Sequence, residues 1–253
     1  WSSVTRTTSG DDGTTPISTG SSYFDGCDFD QVAAGEEYVT GRSDIASVNV
    51  DNSVFPEDQW VIFCPDRIGQ GPLGFDAYTF YPVGDPPPVP VIDAMIADAY
   101  SRTPVVAFNP ISSPDGDDDI PLVTQMTTFL WVDEVAWATP VSAEASIPGF
   151  TVRTTAMPAI AEFQGGDDSA TCDGDQMEPY VFGIGGDDAQ PSECSIVFTR
   201  STAVIDQEIA LDVTWAVDYS CSIPVCGGPL PDIIISSVRP VTVAEIQAVE
   251  SGS

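Results

Sequence analysis

Ile209-Ala-Leu211-Asp-Val213-Thr-Trp215-Ala-Val217-Asp-Tyr219 places six large apolar side chains at every second position, with small or polar ones between them. A period of two marks a β-strand with one face in a core and the other toward water. At about 3.3 Å per residue such a strand spans roughly 36 Å, the width of a whole domain. Whatever pairs with it therefore sets the fold.

Around this stretch the chain runs to 253 residues with 42% hydrophobic content, enough to bury a core unaided. Its charge is lopsided: 39 acidic residues face 7 arginines, with no lysine and no histidine, for a net charge of -32. Phosphate binding needs clustered basic side chains, so nucleic acid is excluded as an expected partner, and an anionic membrane surface with it. No run of apolar residues reaches the 18 or so that crossing a bilayer requires. The carboxylates are scattered over every loop, as in a solvated shell, and a saline or cation-rich setting would screen their mutual repulsion.

Cys27, Cys64, Cys172, Cys194, Cys221 and Cys226 form an even set with no C-x-x-C spacing and no histidine to complete a metal site. Three disulfides in an oxidising compartment are expected, hence an extracellular or cell-surface protein whose signal peptide is removed or missing from this numbering. Fifteen connectivities are formally open. Nearest-neighbour spacing favours the sequential one, with the Cys221–Cys226 loop the shortest.

Residues 1–22, rich in Ser, Thr and Gly, read as a flexible leader. Residues 23–84 read as a small β-rich unit tied by Cys27 and Cys64, with strands expected over 37–39, 46–50, 60–64 and 77–81. The next stretch, 85–128, reads as linker: four prolines in 85–90 form a spacer, and Ile92, Met95, Ile96, Ala99 and Tyr100 make one stripe of an amphipathic helix ending at Arg102. Asp115, Asp117 and Asp119 occupy the first, third and fifth places of a would-be EF-hand loop. Ile120 and Met126 stand where its glycine and glutamate belong, so an exposed acidic turn is expected, with weak Ca²⁺ binding as the alternative.

From 129 to 253 the chain alternates short strands with Gly, Pro and Asp turns, with strands expected over 129–132, 150–156, 161–163, 170–173, 195–200, 209–219, 233–238 and 241–248. Pro148, Pro158, Pro179, Pro191, Pro224 and Pro240 are expected between strands, since proline cannot donate to a ladder. The fold class is thus mainly β, with a C-terminal immunoglobulin- or PKD-like β-sandwich, preceded by the disulfide-tied unit and one short helix.

Leu130-Trp131-Val132, Trp137 with Pro140 to Ala143, Thr171 to Gly174, Pro179-Tyr180, Pro191 with Cys194, Thr214 to Val217 and Val243 to Gln247 occur in one order and spacing. In that combination the chain resembles a group of secreted or membrane-anchored actinobacterial proteins of unassigned function that carry such a C-terminal sandwich. The resemblance implies that Cys172 pairs with Cys194 and implies no catalytic residues. One departure is Phe163-Gln164-Gly165-Gly166-Asp167, where PKD modules carry an aromatic-x-Phe-Gly-Asp-Gly element.

Within this chain the absence of His excludes Ser-His-Asp and Cys-His chemistry, and the absence of Lys excludes Schiff bases and a Walker lysine. Gly183 to Asp188 lacks the third glycine of a dinucleotide fingerprint and reads as a turn. Paired carboxylates remain, as glycosidases use them about 5 Å or about 6.5 to 9.5 Å apart. Their natural companions would be exposed tryptophans, yet Trp131, Trp137 and Trp215 are expected in the core. The expected function is therefore a non-enzymatic extracellular structural or binding module, a subunit of a surface assembly with a protein partner and no cofactor. The alternative is a carboxylate-dependent enzyme or lectin acting on polysaccharide.

Overall fold

The computed structural model describes residues 5–7, 27–35, 57–63, 78–180, 194–224 and 226–245. The chain is mainly β. The opening stretch becomes a strand of fifteen residues, Gln207–Cys221, at the centre of a six-stranded sheet. We number the strands β1 (Thr5–Thr7), β2 (Asp28–Val32), β3 (Gln59–Phe63), β4 (Tyr78–Pro82), β5 (Ile111–Ser113), β6 (Leu122–Val123), β7 (Thr127–Trp131), β8 (Val141–Ile147), β9 (Phe150–Gly165), β10 (Asp168–Cys172), β11 (Ser195–Val197), β12 (Gln207–Cys221), β13 (Gly227–Val241) and β14 (Val243–Ala244), and the helices α1 (Val89–Arg102) and α2 (Glu134–Trp137).

The large sheet runs β1-β13-β12-β9-β10, and β8 shares the β10 edge of β9. Every second residue of β12 from Gln207 to Val217 is buried, all on one face. Two layers cover that face. At one end the three-stranded sheet β11-β7-β5 contributes Leu130 and Ile196 to a core with Phe163, Ile209, Leu211, Val213 and Trp215. At the other end α1 and the sheet β2-β3-β4 close a second core, built from Met95, Ala99, Ile62 and Tyr81 against Ile147, Phe150 and Val152.

Two strands read from the sequence as separate pieces are continuous. β9 crosses residues 150–165 without a break, because Ala159 is an extra residue: Thr214 pairs with Ile160 and Trp215 with Pro158. A bulge of this kind shifts the phase of alternation by one, so the period-two signal vanishes between 156 and 161 although the same face stays buried. Pro158 was expected between strands and sits at that bulge. In β13 a second bulge sets Pro231 and Asp232 opposite Ala216, since Trp215 pairs with Ile233 and Val217 with Leu230. Pro240, also expected between strands, is the fourteenth residue of β13. Among the described residues β1 pairs with β13 at Ile234 to Ser236, away from β13's prolines, which cannot donate to a ladder. β8 was missed, because Val141-Ser-Ala-Glu-Ala-Ser-Ile147 carries few large apolar groups.

The boundary expected at residue 128 falls inside a sheet. β5 pairs with β7, β6 pairs with β14, and Val105, Phe108 and Leu122 are core residues. Residues 103–123 thus belong to the sandwich, not to a linker. Within the leader, Thr5–Thr7 adds a parallel strand to β13, while 1–4 and 8–22 lie outside the described residues. Of the strands expected in the N-terminal unit, 37–39 and 46–50 also lie outside them; 60–64 and 77–81 correspond to β3 and β4, and β2 was missed.

The proline spacer is in part the start of α1. Pro88 is the N-cap and Pro90 lies in the first turn, where a missing N–H costs nothing because those donors have no helical partner. Its buried face is Val91, Ala94, Met95, Asp98 and Ala99, so Asp98, at 4% exposure, enters the core. There Arg102 donates to the Asp98 carboxylate at 2.6 Å and to the Glu144 carbonyl at 2.7 Å, which fastens the helix to β8. Removing one partner of such a pair would leave a buried charge uncompensated.

Tyr81 donates its hydroxyl to the Pro148 carbonyl at 3.0 Å, and burial pushes its pKa up from 10.0 to about 12. The neutral hydroxyl therefore stabilises the fold fully below pH 10, the unfolded value, and this contribution is lost as pH rises through about 12. Two units correspond to roughly 2 to 3 kcal/mol. Tyr81→Phe should cost about 1 kcal/mol at neutral pH through the lost hydrogen bond and flatten the alkaline limb. Urea midpoints at pH 8 and pH 11.5 check this, and a variant that still loses as much as the parent between those values would refute it.

Candidate functional site

The cysteines staple the sandwich rather than form a reactive centre. Cys172 and Cys194 are bonded with Cα atoms 5.8 Å apart, joining the end of β10 to the start of β11, and Cys221 and Cys226 close the β12–β13 turn. Cys27 is disulfide-bonded; the expected partner, Cys64, lies outside the described residues, as does the turn expected over 183–188.

Asp115, Asp117 and Asp119 are not gathered into a group that could hold a metal ion among the described residues. Asp115 pairs with Arg239 at 3.3 Å, and Asp117 accepts from the backbone N–H groups of Asp119 and Ile120 at 3.0 and 2.6 Å. The neighbouring Asp118 accepts from the Thr242 hydroxyl at 2.8 Å. These carboxylates fold the turn onto β13 and its exit, the use short acidic side chains find in turns generally.

Trp215 is fully buried, with its ring centroid 5.7 Å from that of Phe108, and the Trp137 ring lies 5.6 Å from Phe108, tilted by 56°. Trp131 packs half-buried against the same core. Gly174 allows this, since a Cβ there would come within 2.6 Å of the Trp137 Nε1.

A cleft of about 350 Å³ opens where the β9–β10 hairpin meets the segment between β11 and β12. Gly166 (φ +60°) and Asp167 form the two-residue hairpin turn, glycine taking the positive φ that such tight turns demand. Asp167 accepts from the Thr199 hydroxyl at 3.4 Å and faces Arg200 at 3.8 Å, both ends of that ion pair being mostly exposed. The far wall is the start of β12: Asp206, Gln207 and Glu208, with Ile205 beside them. Asp206 and Glu208 are exposed and without a hydrogen-bond or ion-pair partner among the described residues, whereas Gln207 between them turns toward the covered face of β12. Gly165 behind the turn has no room for a side chain, because a Cβ would come within 2.7 Å of the Phe198 ring.

Gln164 and Ala210 carry the cleft onto the second face of the large sheet, the one that no element among the described residues covers. On that face Met157, Ile160 and Val238 are 47%, 42% and 52% exposed. Register aligns Met157 with Ala216 and Ile160 with Thr214, while Asp212 stands directly opposite Glu162. Like charges so placed repel. The sequence had no signal for the cleft, whose walls come from segments some forty residues apart.

No family model, curated protein or solved structure matches the chain, and the resemblance to the actinobacterial group rests on the quoted residues alone.

Proposed function

We propose that the chain is a non-enzymatic extracellular module, with an immunoglobulin- or PKD-type sandwich, that binds a protein partner in a surface assembly through the open face of its six-stranded sheet. The observation that carries this is the asymmetry of that sheet: one face lies under two layers, and the other exposes Met157 and Ile160 in register with Ala216 and Thr214, with Val238 farther along beside Ala210. Contiguous exposed apolar side chains rimmed by polar ones mark interaction surfaces. Two buried disulfide cysteines and a bridged turn support an oxidising compartment. The cleft's three carboxylates favour the polysaccharide alternative, but among the described residues no aromatic ring lines it to stack a sugar.

Replacing Met157 and Ile160 together by aspartate should leave the melting temperature within about 2 °C, since exposed positions change stability little, and should abolish assembly. Cross-linking of the intact chain on the surface of the cells that make it reads this out. A double variant that cross-links as the parent does would sink the open-face reading.

A further inference from the structure

The open face of the large sheet carries opposite charges at equal distances from its apolar centre. Met157 of β9 pairs with Ala216 of β12 at that centre. Four rows along the strands in one direction stand Arg153 and Ser220, and four rows in the other stand Glu162 and Asp212, because the extra residue Ala159 takes no row of its own. All four side chains are exposed. Arg153 donates to the Ser142 hydroxyl at 2.9 Å and has no carboxylate partner among the described residues, although Glu144 of β8 is its neighbour in register. Glu162 and Asp212, side by side, have no cation among the described residues to relieve their repulsion.

We propose that a second copy of the chain occupies this face, in an isologous dimer whose two-fold axis runs across the strands at the Met157–Ala216 row. The inference rests on the reading of this face as the binding surface, and it names the occupant. A two-fold contact must be self-complementary, each group meeting on the partner what its own chain carries at the mirrored distance. About this axis β9 crosses its own copy running the other way, so Arg153 meets Glu162 of the partner subunit, with Asp212 of the partner subunit beside it. Two rows from the axis, Asp218 meets the hydroxyl of Thr214 of the partner subunit. β8 and β10 lie on the same edge of β9 at its two ends, so Glu144, level with Arg153, meets the exposed Thr171, level with Glu162. Met157 and Ile160 of both chains fill the middle. Asp232, exposed in the β13 bulge opposite Ala216, is the like-charge contact, since it comes against its own copy.

From Arg153 to Gln164 the face runs eleven rows, roughly 36 Å at 3.3 Å per residue, and it is four strands wide, roughly 19 Å at 4.8 Å per strand. The resulting area of about 700 Å² is close to the roughly 800 Å² that each partner gives to a standard interface. Sheets pack face to face with their strands within about 30° of each other, a rotation that the long arginine side chain spans. The charge of -32 on each copy opposes the contact at long range, so salt should favour it.

The test is sedimentation equilibrium of the full chain in 0.5 M NaCl, where the parent should reversibly dimerise. Arg153→Glu and Glu162→Arg should each weaken the dimer about tenfold, because each sets like charges against each other at both symmetry-related contacts. An equimolar mixture of the two variants should dimerise as the parent does, since both Arg–Glu contacts are restored between unlike chains. Asp232→Asn should tighten the dimer about threefold. Melting temperatures check that each variant stays folded.

A Glu162→Arg chain that dimerises more tightly than the parent overturns the proposal, because lowering the net charge does that wherever no specific contact exists. A mixture as weak as its components overturns it too, as does a parent that is monomeric at every concentration reached. The two readings fail separately. A monomeric parent, beside a Met157/Ile160 aspartate variant that loses its cross-links to a different protein, removes the second copy and keeps the open face. A dimer indifferent both to the charge reversals and to that double variant removes both, since its contact then lies elsewhere.

Discussion

Trp215→Ala should lower the unfolding free energy by about 3 to 5 kcal/mol, the range for emptying a fully packed aromatic site. Trp215 has no exposed surface and stacks on Phe108 at 29° between ring planes, with Val213 and Val217 beside it on the buried face of β12. The strand cannot collapse into the gap, because it is held on both sides, by β9 and β13. For a fold stable by about 5 to 15 kcal/mol this loss removes a large share of the margin. The indole Nε1 has no hydrogen-bond partner, so Trp215→Phe should recover most of the loss, as it fills the site without burying an unsatisfied donor. Denaturant unfolding of the three proteins measures both effects. An alanine variant that melts with the parent would mean that this face of β12 is open, and the layer assignment would be wrong.

Replacing Cys172 and Cys194 together by alanine should cost about 3 kcal/mol, because the bond closes a loop with a sequence separation of 22 and removes the corresponding loop entropy from the unfolded chain. Both cysteines are buried, at 3% and 0% exposure, and the bond ties the two layers of the sandwich together at β10 and β11. In a chain of this size the melting temperature should fall by roughly 6 to 12 °C. The same double replacement at Cys221 and Cys226, where the separation is 5, should cost only about 2 kcal/mol. Calorimetry of the two variants side by side checks the order. If the short loop costs more, the contribution of Cys221 and Cys226 to the core under α1 outweighs chain entropy.

Local patterns carried the fold class, the central strand and the helix. Alternation over 209–219 and the apolar spacing from Ile92 to Tyr100 each report on backbone geometry within a few residues, and composition alone set the net charge. What failed did so where a local rule met a tertiary override. The bulge at Ala159 shifted the phase of β9. The small side chains of β8 are buried by their neighbours rather than by their own hydrophobicity. The prolines of β13 are tolerated because, among the described residues, its outer edge is paired at Ile234 to Ser236 and not at the prolines. Asp98 is polar by type and buried by position, since Arg102 one turn on completes it.

The cleft belongs wholly to the tertiary structure. Gly166 and Asp167 read as a hairpin turn, and Asp206 to Glu208 as the polar start of a strand. Only the antiparallel register that sets Gln164 against Ala210 brings the two together. A sequence read by its local periods reports which side chains share a face; which faces a second layer covers, and which polar groups are left without partners, depends on contacts between segments far apart in the chain, and no local pattern encodes them.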